Sequence, residues 1–343
     1  MPAWLMPALA LGMSASLTHA WIALARRRNV MDTPERRRLH DVPTPRGGGI
    51  GPVVSIVLVL LGIQVVWPEA RTPSLPATLI ALTTVAGVSF VDDHRPLSIR
   101  LRLGMHMLAA AMLAVAHIAA SGAAPGQWTE LFLGILLLST ASMNLHNFMD
   151  GSDAHLASQA LFVFAVLTLL AHGHGAADLR TLFVAAALAM LAFLPFNWPR
   201  ARVFLGDVGS ISLGLLVAAF SLLALQREAI GWGGALVLSS TFMIDALATL
   251  VGRMRRTRHW LRPHRDHLYQ WLRRRGWSAA GVVVVYQGWN VLVVVPVIVW
   301  LDASERSPQR EFAATVAVYA LGLGTWCAAR GALRRSHRAQ YRP

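Results

Sequence analysis

The chain has 343 residues, of which 55% are hydrophobic and 14% are charged, and its mean hydropathy is +0.50. These values exclude a soluble globular protein, since soluble domains carry about 25% charged residues. The 31 basic residues are all arginine, and against 17 acids they give a formal charge of +14. The single cysteine, Cys327, excludes an internal disulfide. Because no Cys/His run has zinc spacing, we expect neither redox chemistry nor a zinc site.

Apolar stretches long enough to cross a bilayer as helices recur along the whole chain. The first ends at Arg26–Arg28; it is too long for a signal peptide and has no basic residues before it, so we predict a retained helix. Together the stretches predict an all-α, polytopic membrane bundle of about eleven transmembrane helices, forming one multi-span domain over 1–343. The predicted spans are 2–25, 48–67, 75–91, 103–121, 128–147, 154–172, 178–196, 209–225, 231–252, 280–301 and 311–329.

The arginines divide unevenly between the two sides of this predicted bundle. With alternating spans, all but five arginines fall on one side, which the positive-inside rule assigns to the cytoplasm. We therefore predict an outside N-terminus, a cytoplasmic C-terminus and a basic cytoplasmic tail over 330–343. The five arginines on the outer side are Arg71, Arg180, Arg227, Arg306 and Arg310.

The polar residues collect in the predicted cytoplasmic loops, at about 26–47, 92–102, 148–153, 197–208 and 253–279. At helix-centre depth in lipid, each of five aspartates in or beside these loops would cost about 2.5 to 3.5 kcal/mol. A single such aspartate could be a helix N-cap, but five together indicate a polar cleft. The five are Asp92, Asp93, Asp150, Asp153 and Asp207.

Clustered carboxylates repel one another unless a cation neutralises them, and oxygen ligands without cysteine favour Mg²⁺. Asp207 lies in the sequence GDVGS, where two glycines let backbone N–H groups approach an anion as a helix begins. Because neighbouring helical side chains diverge by about 100°, one of Asp92 and Asp93 would face the metal. The other would face a substrate or a backbone group.

Three further polar segments are candidates for substrate contacts. Asn144, Asn147, Asp150 and Asp153 are spaced by three, an array suited to hydroxyls and an amide-bearing base, although Asn144 could equally pack between helices. The segment His264-Arg265-Asp266-His267 offers donors to phosphate or sugar oxygens. Arg46, followed by three glycines that form a tight, flexible entry to the second helix, could meet a phosphate. Isolated histidines such as His106 are interpreted as packing residues.

These motifs, in this order, resemble the polyprenyl-phosphate N-acetylhexosamine-1-phosphate transferases, the MraY/WecA-like group of glycosyl transferase family 4. The resemblance extends from about Asp32 to Gln270 and includes Asp245 and Arg253. The matching patterns are DTP…RRxHxxPxPRGGG, VDD followed by LxxRxRL, NxxNFMDGxD, FNxP…FLGDVGSxxLG and PHRDHLYQ.

The resemblance implies an enzyme of the bacterial inner membrane that depends on Mg²⁺, with Mn²⁺ as an alternative. It would transfer a sugar 1-phosphate from a UDP-N-acetylhexosamine to undecaprenyl phosphate and release UMP. Besides these substrates the expected partners are membrane lipids and a second copy in a homodimer, but not nucleic acid. The implied catalytic residues are Asp92, Asp93, Asp207, His264 and His267, with Asp207 and Asp92 as metal ligands. The implied substrate-binding residues are Arg46, Asn144, Asn147, Asp150, Asp153, Asn197 and Arg265.

The chain departs from the family pattern at Ala154-His155, where Gly-Leu or Gly-Ile is usual, and at His106, where Gln is common. It lacks a three-histidine run, which argues against the peptidoglycan branch and favours initiation of O-antigen or a related surface polysaccharide. A peptidoglycan or teichoic-acid-type transferase is the alternative within the family. An anionic-lipid transporter is the alternative from another class, but its polar residues should extend through the full depth of the membrane.

Overall fold

The computed structural model describes residues 4–33, 42–66, 73–258 and 265–340, with side chains to residue 335. Contacts divide the chain into two compact units, which meet in sequence at Ile230 and Gly231. We call them unit 1 and unit 2 and describe each by itself. The expectation that both belong to one multi-span domain stays a prediction.

Unit 1 is a bundle of long helices with one small strand pair. Strands β1 (Met31–Asp32) and β2 (Thr44–Pro45) pair antiparallel. A short 3₁₀ helix precedes α5. The helices are α1 (Leu5–Arg27), α2 (Ile50–Val66), α3 (Ser74–His94), α4 (Ile99–Ser121), α5 (Trp128–Met149), α6 (His155–Gly173), α7 (Ala177–Asn197) and α8 (Gly206–Gln226).

Helix α8 lies at the centre of unit 1 and contacts each of the helices α2 to α7. It is apolar around its whole circumference, as expected of a helix surrounded by others. Phe220 on α8 contacts the rings of Phe164 and Phe183, at centroid distances of 5.3 and 5.1 Å. This packing fixes α8, and with it the position of Asp207 in the first turn.

Unit 2 contains shorter helices and one long terminal helix. Helices α9 and α10 meet at a bend of 75°. A five-residue π-helical segment, Asn290–Val294, joins α12 to α13. The helices are α9 (Trp232–Leu238), α10 (Ser240–Met254), α11 (Leu268–Arg274), α12 (Ala279–Trp289), α13 (Val295–Ala303) and α14 (Pro308–Gln340).

The predicted membrane architecture is confirmed. Within the described residues, nine helices are long and apolar enough to cross a membrane, and the bent pair α9–α10 supplies a tenth span if it counts as one. The shorter α2 has 17 residues and coincides with the remaining predicted stretch. Every one of the eleven predicted stretches therefore corresponds to a helix or to a joined helix pair, and the fold is a polytopic helical bundle.

Candidate active site

Three aspartates and two arginines meet in unit 1, where α3 ends and α8 begins. Arg46 Nη2 lies 2.9 Å from Asp93 Oδ1 and 2.9 Å from Asp207 Oδ1. Arg102 Nη1 lies 2.8 Å from Asp92 Oδ2 and 3.6 Å from Asp207 Oδ2. Each arginine thus bridges Asp207 to one member of the adjacent pair. We call these five residues the carboxylate cluster.

Asp93 caps the N-terminus of α8. Its Oδ1 accepts a hydrogen bond from the backbone N–H of Asp207 (3.0 Å) and its Oδ2 accepts one from Val208 (3.1 Å). Helix N-termini carry unpaired N–H groups and a partial positive charge, so a buried carboxylate is stabilised there. Gly206 permits this approach, because a Cβ at that position would lie 2.7 Å from Asp93 Oδ2. The sequence predicted an anion near these N–H groups, and the chain's own Asp93 carboxylate occupies two of them.

The glycines at 47–49 pack against the segment before α8, which the sequence did not predict. Two backbone N–H···O hydrogen bonds, of 2.8 and 3.0 Å, join 48–49 to 204–205. A Cβ on Gly49 would lie 2.3 Å from the Cα of Gly209, so only glycine allows this backbone contact. The expected tight entry to α2 is confirmed, and its flexibility stays a prediction. These glycines form a tight junction that fixes Arg46 beside the start of α8.

Arg46 is held on both its backbone and its side chain. Trp21 Nε1 donates a 2.8 Å hydrogen bond to the carbonyl of Arg46. Burial opposes the charge of the guanidinium, but the carboxylates of Asp93 and Asp207 hold the pKa of Arg46 above its ordinary value. Its side chain is 30% exposed. The structure thus pairs Arg46 with carboxylates, and its contact with a substrate phosphate stays a prediction.

Arg102 belongs to the carboxylate cluster but was not among the predicted site residues. The α3–α4 turn positions it: the N–H of Leu97 donates to Asp92 Oδ1 at 2.6 Å, and Ser98 caps α4. The motif LxxRxRL contained the signal, since it places two arginines after the aspartate pair. Residues two apart on a helix point in different directions, and Arg100 is exposed. The sequence offered no means of choosing between them.

The polar segment after α5 is built into unit 1 by side-chain hydrogen bonds. Asn147 Oδ1 accepts from the hydroxyl of Ser210 on α8 at 2.8 Å. Asp153 Oδ2 accepts from the backbone N–H of Ala201 at 3.2 Å. These contacts link the segment to α8 and to the loop before it.

Asn144 is engaged by the protein in two ways. Its Nδ2 donates to the carbonyl of Thr140 at 2.7 Å, and its side chain lies beside that of His106 on α4. His106 is 4% exposed and lies within electrostatic range of Arg102 and Asp92. The interpretation of His106 as a packing residue therefore missed its position next to the carboxylate cluster. The interpretation of Asn144 as a substrate ligand stays a prediction.

Asp150, at the C-terminal end of α5, is electrostatically coupled to the carboxylate cluster. Burial, followed by the charge of Asp207, raises the pKa of Asp150 to about 8, while Arg46 opposes the shift. The carboxylates of Asp93 and Asp153 add to the repulsion. The structure thus brings all five predicted aspartates into one electrostatic group.

Asn197 joins two loops of unit 1. Its Oδ1 accepts from the backbone N–H of Ala154 at 2.7 Å, and its Nδ2 donates to the carbonyl of Val203 at 2.9 Å. The side chain is 5% exposed. Both ends of the amide are used within the protein, and the predicted contact of Asn197 with a substrate stays a prediction.

In unit 2, buried Asp245 organises the segment that contains the predicted histidines. Its Oδ1 accepts from the backbone N–H of Leu268 and from Trp326 Nε1, both at 2.8 Å. Its Oδ2 accepts from the hydroxyl of Tyr286 at 2.7 Å. Asp245 therefore fixes the N-terminus of α11, directly after His267.

Of the three site residues predicted in this segment, the structure describes His267 and Arg265, which differ in exposure. His267 is 3% exposed and stacks on Tyr269 at a centroid distance of 6.0 Å. Burial lowers the pKa of His267, although Asp245 and Asp266 oppose the shift, which favours a neutral imidazole. Arg265 is half-buried. His264 lies outside the described residues, and the predicted roles of all three stay predictions.

The carboxylate cluster fits a hard divalent cation. Asp92 and Asp207 lie 2.8 and 3.6 Å from the same nitrogen, Arg102 Nη1, and have side chains 7% and 15% exposed. Mg²⁺ is typically held by one or two carboxylates, with water and substrate phosphates completing its shell. Among the residues that the structure describes, no group of three or more His, Cys, Asp or Glu side chains could hold a metal. The donor set of two carboxylates suits Mg²⁺ or Mn²⁺ whose other positions are filled by water and substrate oxygens.

Comparison with known proteins gives one family match and similar proteins of named activity. A model of glycosyl transferase family 4 matches residues 75–225, which include Asp92, Asp93 and Asp207. The phospho-N-acetylmuramoyl-pentapeptide-transferase of Shouchella clausii is 31% identical over an alignment covering 75% of this chain and 84% of that protein. The decaprenyl-phosphate N-acetylglucosaminephosphotransferase of Mycobacterium tuberculosis is 29% identical, covering 79% of this chain and 75% of that protein.

Proposed function

The chain belongs to glycosyl transferase family 4 and is a phospho-sugar transferase, and on this premise we propose its substrates. It transfers an N-acetylhexosamine 1-phosphate from a UDP-sugar to undecaprenyl phosphate, giving undecaprenyl-diphosphate-sugar and UMP. The carboxylate cluster carries this proposal. It places three carboxylates and two arginines at one end of α3 and α8, two helices long and apolar enough to cross the membrane. A lipid phosphate could reach such a position at the membrane surface.

The reaction makes one P–O bond and breaks another. A phosphate oxygen of undecaprenyl phosphate attacks the β-phosphorus of the UDP-sugar. The bond from that phosphorus to the oxygen bridging it to the α-phosphorus breaks, and UMP leaves with this oxygen. Because the second pKa of a phosphate monoester is about 6, the attacking group is largely ionised at neutral pH. The protein therefore has mainly to position two anions and stabilise their charge.

Asp207 and Asp92 would hold Mg²⁺, which when bound neutralises charge on the diphosphate. Arg46 and Arg102 already lie against these carboxylates and would turn toward phosphate oxygens once a cation shares the site. Guanidinium groups suit this task, since they bind phosphate in a bidentate manner and stay charged.

The hydrogen bonds of Asp93 support a positioning role for this residue. Both of its oxygens accept N–H groups of α8, and the side chain is 2% exposed. Asp92 is more accessible to a substrate, at 7% side-chain exposure, although it is also bound by Arg102. Of the adjacent pair, Asp92 is thus the better candidate to orient the lipid phosphate, and Asp93 holds the start of α8.

The names of the relatives support two donor sugars. N-acetylglucosamine is the sugar named for the mycobacterial relative, whereas the Shouchella relative is named for an N-acetylmuramoyl-pentapeptide. The segment HRDHLYQ, with two histidines rather than three, supports the first type and a role in initiating O-antigen or a related surface polysaccharide. The arginine distribution supports an inner-membrane location with a cytoplasmic active site.

A release assay tests the proposal. Purified protein is mixed with undecaprenyl phosphate, Mg²⁺ and a panel of UDP-N-acetylhexosamines that includes UDP-N-acetylglucosamine, and UMP is measured. We expect release with one donor, and loss of release in Asp207→Asn and in EDTA. Folded protein that releases UMP with none of these donors would contradict the proposal, and transport of an anionic lipid would then be tested in vesicles.

A further inference from the structure

An apolar groove runs between α10 and α14 in unit 2. Its volume is about 820 Å³. Large apolar side chains on its walls are exposed, among them Leu247 and Val251 on α10 and Val316 and Leu323 on α14. In a membrane-spanning segment such a groove faces lipid rather than water, so its exposed apolar surface matches acyl chains.

The two helices place their arginines at the same end of the groove. Tyr319 of α14 donates to the carbonyl of Leu236, just before α10, whereas Gly322 packs on Ile244 within α10. The two helices therefore run in the same direction. The groove ends at the C-terminal side of both, among Arg255, Arg256 and Arg334.

Positive charge at this end exceeds the negative charge that the described residues supply. Arg330 is within electrostatic range of Arg256 and Arg334, and like charges at such range repel. The nearby acid Asp266 is paired with Arg253 at 2.7 Å. The other acid of the region, Asp245, accepts hydrogen bonds inside unit 2. An anion bound at this end of the groove would relieve the repulsion.

Aromatic rings hold part of this arginine group in place. The guanidinium of Arg330 lies 4.7 Å from the ring centroid of Trp271 and 5.0 Å from that of Trp326. Arg334 lies 6.0 Å from the ring centroid of Trp271. Cation–π contacts of this kind orient guanidinium groups without neutralising them. The rings therefore hold Arg330 and Arg334 near this end of the groove while both stay charged.

We propose that the groove binds an anionic phospholipid of the surrounding bilayer. Its acyl chain lies along the apolar walls, and its phosphate is bound by Arg255, Arg256 and Arg334. Arginine side chains at the end of a membrane helix extend to the headgroup region, where the lipid phosphates lie. The groove is formed by residues of unit 2 alone, and its proposed occupant is a phospholipid rather than a substrate, so this proposal does not depend on the transferase proposal.

Native mass spectrometry of the full chain tests this site. Delipidated protein is titrated with phosphatidylglycerol or phosphatidylcholine in the absence of polyprenyl phosphate, and bound lipids are counted. We expect retention of one phosphatidylglycerol and little phosphatidylcholine, and an increase of thermal stability with phosphatidylglycerol but not with inorganic phosphate. Equal retention of the two lipids would overturn the proposal.

Variants separate this groove from general attraction of lipid to a basic surface. In Arg256→Gln/Arg334→Gln we expect the affinity for phosphatidylglycerol to fall at least about tenfold, since two phosphate contacts are removed. Arg306→Gln/Arg310→Gln, near the other end of α14, is the matched control and should bind as the wild type does. Ala320→Trp fills the groove while retaining its arginines and should also weaken binding. Wild-type binding by both the arginine and the groove-filling variants would contradict the proposal.

Discussion

The backbone N–H of Asp207 donates a 3.0 Å hydrogen bond to Asp93 Oδ1, so the position of one aspartate depends directly on the other. Arg46 extends this relationship, because the same guanidinium nitrogen lies 2.9 Å from each of the two carboxylates. The start of α8, the end of α3 and the loop before α2 therefore form one unit of structure around Asp207. Substitutions of residues that contact no substrate should therefore still change activity, because they displace Asp207.

Replacing Asp93 with Asn should impair both stability and metal use. The amide retains the size of the side chain but cannot accept hydrogen bonds from both N–H groups. It also leaves Arg46 with one carboxylate partner instead of two. A hydrogen bond to a charged group typically contributes about 1.5 to 3 kcal/mol. We expect a lower melting temperature and a higher Mg²⁺ concentration for half-maximal activity. Ser89→Ala, a buried change one turn earlier on α3, is the control.

A different result would assign Asp93 another role. If Asp93→Asn retained the melting temperature and the Mg²⁺ requirement of the wild type while losing activity, the residue would act on a substrate and not on α8.

Arg102→Gln should lower activity far more than Arg100→Gln. Arg102 contacts Asp92 and Asp207, whereas Arg100, two residues earlier on the same helix, is exposed. Removal of one preorganised electrostatic group costs about 10²- to 10³-fold in turnover in well-studied sites. We expect a loss of that order for Arg102→Gln and less than about a twofold change for Arg100→Gln, measured as kcat/KM. Equal effects of the two variants would contradict the assigned geometry.

Gly49→Ala should disrupt the junction between the 47–49 loop and α8. A Cβ there would lie 2.3 Å from the Cα of Gly209, a contact that only backbone movement can relieve. Gly12→Ala, on α1, adds a Cβ that meets nothing within 4 Å, and should be neutral or slightly stabilising because Ala is the better helix former. Melting temperature and UMP release measure both variants. Wild-type activity in Gly49→Ala would show that the junction does not position Arg46.

Tyr286→Phe should loosen the capped start of α11 in unit 2. The change removes one hydrogen bond to Asp245, a loss of about 1 kcal/mol with a further penalty for the buried carboxylate. Asp245→Asn should have a larger effect, because it also weakens the bonds from Leu268 and Trp326. Hydrogen exchange of residues 268–274 reports the change. Tyr319→Phe, which removes a hydroxyl from α14 instead, should leave that exchange as in the wild type.

Asp150→Asn should stabilise the ligand-free protein more at high pH than at low pH. The folded protein raises the pKa of Asp150 to about 8, whereas a carboxyl in the unfolded chain titrates near 4. Between these values the unfolded chain releases a proton that the folded state retains, so this residue's contribution to stability falls as pH rises. Asn cannot ionise, so the variant does not lose this stability as pH rises.

The melting temperatures of the wild type and Asp150→Asn, compared at about pH 5 and pH 9 without Mg²⁺, test this prediction. The difference in favour of the variant should be larger at pH 9. Ser152→Ala, an uncharged change in the same loop, should shift the melting temperature equally at both values. A pH-independent difference for Asp150→Asn would contradict the raised pKa.

Sequence alone predicted the helices well, because a membrane-spanning helix needs about 20 apolar residues and this requirement is local. It also placed Asp92, Asp93 and Asp207 in one group, since each follows or begins a predicted span. It could not predict that Asp93 caps α8, because the contact joins residues 114 positions apart. The close approach of Gly49 to Gly209 and the choice of Arg102 over Arg100 likewise depend on how helices pack, which periodicity does not encode.

The fate of the β-phosphorus tests the central proposal most directly. The protein is incubated with undecaprenyl phosphate, Mg²⁺ and UDP-N-acetylglucosamine labelled at the β-phosphate, and the lipid and aqueous phases are counted. Transfer of a sugar 1-phosphate predicts that the label enters the lipid phase in the same amount as UMP appears, and that Asp207→Asn abolishes both. Label that stays in the aqueous phase as UDP while sugar enters the lipid would contradict the account, because it would show that the sugar alone is transferred.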